Sequence, residues 1–529
     1  MGQGRSGMKG GVGSVSAFSG EERPQVARRG DSLVRPAVQP SGSDVPVAPP
    51  VRPTESRGTP AGRLIVVSNR VPAPSSRGAG GAGGLAVALE AALKAQGGIW
   101  FGWSGEARPA IDADALKRQE IGRITFATTD LTKRDVDEYY LGYSNRALWP
   151  VCHYRLDLAR FSERETEAYF RVNDLFARKL SGLVQSEDLI WVHDYHLIPL
   201  GDALRQRGIR NRLGFFLHIP WPPPEVASAL PGYARLLRGL AAYDLVGFQT
   251  ERDAEHFGQC LLEEGLAEDL GGGMYRTGDH CFRVGSFPIS IDTTGISELA
   301  RRSVGQASTR RMMASLEGKQ LIIGVDRLDY SKGLRERIRS FVTFMASHPE
   351  LKGHVTYLQV TPKSRSEVAE YAQLEQEVAT QVGEANGACG DFDWTPIRYL
   401  NQNIPHTTLT GLYRMANVGL VTPLRDGMNL VAKEYVAAQN ESDPGVLILS
   451  RYAGAAFELD AALIVNPYDA LAVSEAIDRA LRMSLGERRE RWGAMMDVLR
   501  RHTVGDWWKS FVGTLRQQPI AQADQIATG

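Results

Sequence analysis

Cysteine is scarce in this chain. The four that occur in 529 residues, Cys152, Cys260, Cys281 and Cys389, lie far apart and form no C-x-x-C pair. That spacing excludes a disulfide framework and a zinc-ligand pattern, and it predicts buried thiols in a reducing cytoplasm. Net charge is missing too. Lys and Arg number 61, and Asp and Glu also number 61, so no overall field draws the chain to nucleic acid or to an anionic membrane. No apolar run reaches the roughly 18–20 residues of a membrane span. H-E-x-x-H, a Walker loop and a serine elbow are absent, which removes three common catalytic readings. His193 and His196, three apart after a strand, are a weak metal signal; no metal or other cofactor is expected. What remains is an ordinary globular composition, 43% apolar and 23% charged, with length for two or more domains.

Residues 1–61 are rich in Gly, Pro, Ser and Arg and have no hydrophobic period. A disordered arm is expected there, without the apolar segment of a secretory leader. From Leu64 onward, short apolar runs alternate with helical stretches. LIVVS (64–68), ITFAT (124–128), LIWVH (189–193), LGFFLH (213–218) and LVGFQ (245–249) read as buried parallel strands. Helical periodicity is expected at 163–181 and 225–242. A second series follows: LIIGVD (321–326), VTYLQV (355–360), IRYL (397–400), VGLVT (418–422), VLILS (446–450) and LIVNP (463–467). Strands alternating with helices imply βαβ units. The predicted fold class is α/β, two doubly wound Rossmann-like domains facing across a cleft. The expected boundaries are 62–300 and 301–485, with a C-terminal helix within 486–529 crossing back to the first domain. Ligands of such sheets lie at the carboxyl ends of the strands.

The chemistry-bearing residues follow those strand ends. Between 421 and 436 the chain reads VTPLRDGMNLVAKEYV. A strand ends at a charged Gly turn and a helix begins. Its free N–H groups and positive dipole end suit a phosphate. Asp426 is an acceptor at the tip, and Glu434 lies farther along the helix. Arg327 and Lys332, in GVDRLDYSKGL, are two cations after another strand and suit a diphosphate. Arg70 follows the first strand, and Arg365 follows a strand end in VTPKSR, beside Lys363. Asp194, in HDYHL, suits sugar hydroxyls. His218 ends a buried strand in FFLHIPWPPPE, where a satisfied core histidine is an equal reading. Tyr140 and Trp149 come from DEYYLGYSNRALWP, read as a loop in which aromatics more often pack than bind. Gly81, Gly83 and Ala86 match G-x-G-x-x-A, but the loop is too long for a dinucleotide turn. A glycine hinge close to a ligand fits better.

These segments together resemble the trehalose-6-phosphate synthase family, retaining glycosyltransferases of the GT-B architecture. The resemblance spans about 63–515 and rests on SNR with GGLAV, WFGWSG, DEYY and LWP, IWVHDYHL, FFLHIPWP, GVDRLDYSKGL, TPLRDGMNLVAKEYVAAQ and SRYAGAA. It implies glucose transfer from a nucleotide-glucose donor, UDP-glucose favoured over GDP- or ADP-glucose, to glucose 6-phosphate. The implied acceptor site is Arg70, Tyr140, Trp149, Asp194 and Arg365. The implied donor site is Gly83, Gly84, Arg327, Lys332, Ile404 near the base, and the turn and helix start Asp426, Gly427, Met428, Asn429, Leu430, Val431, Ala432, Lys433 and Glu434. Catalytic roles fall to His218, Arg327, Lys332 and Asp194. The alternatives are a transferase with another phosphorylated acceptor, such as glycerol 3-phosphate, and a silent sugar-phosphate sensor. Partners are small molecules, with neither nucleic acid nor membrane; a homo-oligomer is compatible with this reading.

Overall fold

The computed structural model describes residues 62–72, 84–112, 115–363 and 369–519. Among them the strands in chain order are β1 (Leu64–Arg70), β2 (Gly98–Arg108), β3 (Lys117–Ile121), β4 (Ile124–Thr132), β5 (Leu189–His193), β6 (Leu213–Phe216), β7 (Leu245–Phe248), β8 (Glu268–Gly271), β9 (Met274–Thr277), β10 (His280–Ser286), β11 (Gln320–Val325), β12 (Val355–Val360), β13 (Ile397–Leu400), β14 (Val418–Val421), β15 (Val446–Ser450) and β16 (Leu463–Val465).

They form two sheets. The first runs β3-β4-β2-β1-β5-β6-β7-β10-β9-β8. Its centre is parallel, and only the rims β3, β8 and β9 pair antiparallel. The second runs β13-β12-β11-β14-β15-β16 and is parallel throughout. Each is a doubly wound sheet, and strand order reverses at β1/β5 in one and at β11/β14 in the other. The carboxyl ends at those reversals are where ligands bind in such sheets. The central strands are apolar on both faces because helices cover both, so LIVV of β1 and VLIL of β15 are buried along their length.

The strand runs expected from the sequence are all present. The helix 163–181 is present as Glu163–Ser181, started by the Ser162 side chain accepting from Glu165 N. The stretch 225–242 is not one helix. It breaks into Pro224–Ala227 and Tyr233–Ala241, because Pro231 and a left-handed Gly232 interrupt it. DEYYLGYSNRALWP is helical rather than a loop. Val136–Leu148 winds with wide i→i+5 turns and kinks at Gly142.

The C-terminal stretch is two helices, Leu485–Arg501 and Val504–Arg516, separated at the Thr503 capping box. The second lies on the first sheet. Phe511 stacks on Trp191 at 4.8 Å and meets Phe216 at 5.7 Å. Gly214 and Gly247 make room for it, since a Cβ on either would stand 2.7 Å from the Phe511 ring. No helix among the described residues is long and apolar enough to cross a membrane.

Candidate functional site

At the β11/β14 reversal, β11 leads into Asp326, Arg327 and the short turn Tyr330–Lys332. A buried guanidinium shapes this turn. Arg337 donates to Asp326 Oδ2 at 2.6 Å, Thr422 Oγ1 at 2.9 Å and the Lys332 carbonyl at 3.1 Å. It thereby ties the end of β11 to the end of β14. Burial pushes the Asp326 carboxyl up, against the pull of Arg337. Lys332 Nζ donates to Asp426 Oδ2 at 2.6 Å. Burial alone would raise the Asp426 carboxyl, but the Lys332 ammonium holds it below its ordinary value.

Asp426 stands in the turn after β14, and the helix Leu430–Ala438 begins just beyond it. Asn429 is the cap. It sits at φ 78°, accepts from Ala432 N and donates to Asp426 at 2.9 Å. An Asn tolerates that left-handed geometry better than most residues. One of the free N–H groups of the helix start is thus satisfied, and Leu430 and Val431 of the same turn border an open cavity.

The first sheet supplies the facing wall. β5 leads into Asp194, which has φ 75° and ψ 163°, a region that ordinarily accepts only Gly. Its N–H donates to the Phe216 carbonyl at 2.8 Å, and its Oδ1 accepts from His218 N at 3.4 Å. The strained backbone is pinned by the neighbouring strand, so the carboxylate is aimed off the sheet. His218 and His193 meet at 3.1 Å through Nε2 and Nδ1. Gln249 Nε2 stands 3.4 Å from His218 Nδ1, which assigns the His218 proton to Nε2. Burial lowers His218 to about 3, so the ring is neutral. Both its nitrogens are engaged, which makes it a fixed wall rather than a proton shuttle.

The two walls enclose one cavity of about 470 Å³, lined by Trp149, His153, Asp194, His196 and His218 on one side and by Arg327, Lys332, Asp426, Leu430 and Glu434 on the other. Contacts join the walls directly. The Arg327 guanidinium lies 5.0 Å from the Trp149 ring centroid. Gly427 abuts the backbone of His218 and Ile219 so closely that a Cβ would stand 2.2 Å from the His218 carbonyl oxygen. Such a space offers cations and a helix start to phosphate, and carboxylates to hydroxyls.

The expected residues do not all reach this cavity. Trp149, Asp194, His218, Arg327, Lys332, Asp426, Met428, Asn429, Leu430, Val431 and Glu434 share the cavity. Tyr140 stacks on the lining residue His196 at 5.7 Å without lining the cavity itself. Arg70 stands exposed as the last residue of β1, beside Gly105, and Ile404 packs on the second core. Ala432 is buried, and the Lys433 ammonium turns away to Glu458 at 2.6 Å and the Ile289 carbonyl at 2.7 Å. Gly84 opens the helix Gly84–Gln96. Gly83 and Arg365 lie outside the described residues. His153, Gln249 and Asp326 were not singled out from sequence. Asp326 carries a signal, as the first residue after a strand in GVDRLDY; His153 and Gln249 become visible only through their contacts.

Known proteins resemble this chain along most of its length. Residues 62–517 match glycosyltransferase family 20. A trehalose-6-phosphate synthase of Sinorhizobium fredii is 53% identical over 454 residues, covering 86% of this chain and 98% of that protein. A UDP-forming α,α-trehalose-phosphate synthase of Burkholderia xenovorans, solved in complex with glucose-6-phosphate, is 44% identical with a TM-score of 0.82, covering 86% of this chain and 100% of that one. An Escherichia coli protein solved with UDP-2-fluoro glucose bound is 46% identical with a TM-score of 0.82, covering 87% and 100%.

Proposed function

The chain belongs to glycosyltransferase family 20, and on that premise we propose that it moves glucose from UDP-glucose to glucose 6-phosphate with retention, giving α,α-trehalose 6-phosphate. That it is a glycosyltransferase of the trehalose-6-phosphate synthase type follows from its relatives, matched over nearly their whole length. The donor, the stereochemistry and the residue roles are the proposal. Its support is one observation above all: cations of the second sheet meet an aromatic and carboxylate wall of the first across a single cavity.

The donor diphosphate lies against Arg327, Lys332 and the start of the helix Leu430–Ala438, and Glu434 takes the ribose hydroxyls. Lys332 now pairs with Asp426, so an incoming phosphate shares that ammonium while Asp426 turns to a sugar hydroxyl or to Asn429. Asp194 and the Trp149 ring border the acceptor, whose phosphate goes to Arg70, Tyr140 and Arg365. Ile404 stands toward the base. As the bond from the anomeric carbon to phosphate breaks, charge grows on the leaving oxygen, and fixed cations stabilise it most in a water-poor site. These cations, rather than a divalent metal, carry that task.

Each cavity aspartate already has a partner: Asp326 has Arg337, Asp426 has Lys332, and Asp194 has the His218 N–H. A covalent carboxylate intermediate is therefore not favoured. The acceptor oxygen attacks the face the phosphate leaves, and the departing phosphate oxygen takes its proton. The four free cysteines suit a reducing cytoplasm; fractionation placing the chain elsewhere would reject that location.

The test is product formation. With UDP-glucose and glucose 6-phosphate, NMR should show one product with both anomeric couplings α, formed equally well in excess chelator. No product with UDP-, GDP- or ADP-glucose, or a β linkage, would overturn the reading.

A further inference from the structure

One cavity-lining ring has no part in the reaction above. His153 ends the short helix Trp149–Cys152 and is 4% exposed. Its Nδ1 lies 2.7 Å from the Trp149 carbonyl oxygen. A carbonyl oxygen can only accept, so Nδ1 carries the proton and Nε2 presents a bare lone pair. Nε2 has no hydrogen-bond partner among the described residues, yet it is not sealed from the cavity its ring lines. Burial lowers the imidazole to about 4, with Asp329 opposing, Lys332 assisting and Asp426 opposing. The ring is neutral at physiological pH and is an acceptor only through Nε2.

Its orientation is set from both sides of the cleft. The ring stacks on Trp149 with centroids 4.2 Å apart. The next residue, Tyr154, sits at φ 60° beneath the Arg425 guanidinium, 3.6 Å from its ring centroid. Arg155 then lies over Tyr330 at 5.5 Å. Arg425 and Tyr330 both belong to loops of the second sheet. A segment of the first sheet's half is thereby clamped onto the second, and His153 lines the same cavity as the Lys332–Asp426 pair.

We propose that His153 Nε2 accepts a hydrogen bond from a hydroxyl of the transferred hexosyl group and so selects that sugar. The assignment rests on the sugar transfer proposed above, which sets the transferred hexosyl group beside Lys332 and Asp426, whose charges act on the His153 ring in the cavity they share. Its recognition element is a neutral, fixed acceptor, which discriminates a hydroxyl from a hydrogen without the long reach of a charge.

The experiment compares monodeoxy nucleotide-glucose donors with the parent donor in the intact enzyme and in two variants. His153→Asn keeps an N–H near the position of Nδ1 for the Trp149 carbonyl but removes the Nε2 acceptor. His153→Phe keeps the stacking and removes both. In the wild type, one deoxygenation should lower kcat/KM by about tenfold. In either variant that same deoxygenation should change kcat/KM by less than about twofold. Each result is a ratio within one protein, so partial loss of fold cancels, and either variant serves if the other does not fold. The proposal is overturned if His153→Asn retains the full wild-type penalty, for the ring would then only brace Trp149. It is equally overturned if no deoxygenation matters in the wild type. Turnover of the parent donor by the wild type reports separately on the transferase reading.

Discussion

A methyl group on Gly427 should force the two walls of the cavity apart. An ideal Cβ there stands 2.2 Å from His218 O and 3.0 Å from Ile219 Cα, both backbone atoms. Carbon–oxygen contacts settle near 3.3–3.6 Å, so the turn must withdraw by about 1 Å. No rotamer change can absorb this, because neither neighbour is a side chain. The turn is also held from behind: Gly454 N donates to Asp426 O at 3.1 Å and Ala455 N to Met428 O at 2.7 Å. The displaced segment carries Asp426, Asn429 and the helix start, and the opposite wall carries His218 and Asp194. A misplacement of about 1 Å in a reacting pair costs on the order of a hundredfold in rate, or about 2.7 kcal/mol. Gly427→Ala should therefore lower kcat/KM for both substrates by that amount. The contact is made by backbone between the halves and removes no core side chain, so Tm should fall by less than about 4 °C. Initial rates of nucleotide release and a thermal melt measure the two effects. A variant within about threefold of wild type in kcat/KM would refute the idea that this backbone contact sets the site geometry.

Further outcomes follow from the same geometry. Arg327→Ala and Lys332→Ala should each lower kcat by about 10²–10³ with the fold intact, and near-normal kcat in both would remove the leaving-group assignment. Asp426 has a folded-state carboxyl held below its ordinary value, so its contribution is complete above the unfolded value of about 3.9 and is lost as pH falls through the lower folded value. Lys332→Ala removes that hold and leaves burial to raise the carboxyl, so the variant should be less stable at neutral pH and regain part of that loss on acidification; a pH dependence of stability identical to wild type would show the pair to be idle. Asp194→Gly should relieve the backbone at φ 75° and stabilise the fold by about 1 kcal/mol, after the entropy Gly adds to the unfolded chain, while transfer falls sharply. A destabilised Asp194→Gly protein would contradict the strain. Phe511→Ala should cost about 3–5 kcal/mol in denaturant unfolding, since the ring fills the space over Gly214 and Gly247, and a loss below about 1 kcal/mol would deny that packing.

Some elements were legible from residue order and others were not. The central strands could be read because both their faces are buried, which demands uninterrupted Val, Ile and Leu, as in β1 and β15. β2 breaks its apolar run with Gly102, Ser104 and Gly105, and β3 is exposed along its whole length, so neither shows a buried-strand pattern. The wide-turned helix Val136–Leu148 escapes detection because its repeat is not 3.6 residues. The lysines illustrate the limit at the site. Lys332 and Lys433 both lie in segments rich in charge, but one faces the cavity and the other is consumed by Glu458. Which face of a helix or turn meets the cleft depends on what packs behind it.

Taken alone, the residue order determined the α/β class, the strands of the second sheet, five of the ten in the first, and the strand ends that carry Asp194, Arg327 and Asp426. These follow from local pattern, which records burial and turn chemistry. Tertiary structure alone decided that Arg327 lies over Trp149, that Gly427 must lack a side chain against His218, and that His153 lines the same cavity as Lys332 and Asp426. Each joins residues more than 100 positions apart. Such pairings arise only when two separately wound sheets close on each other, and no periodicity within a segment encodes them.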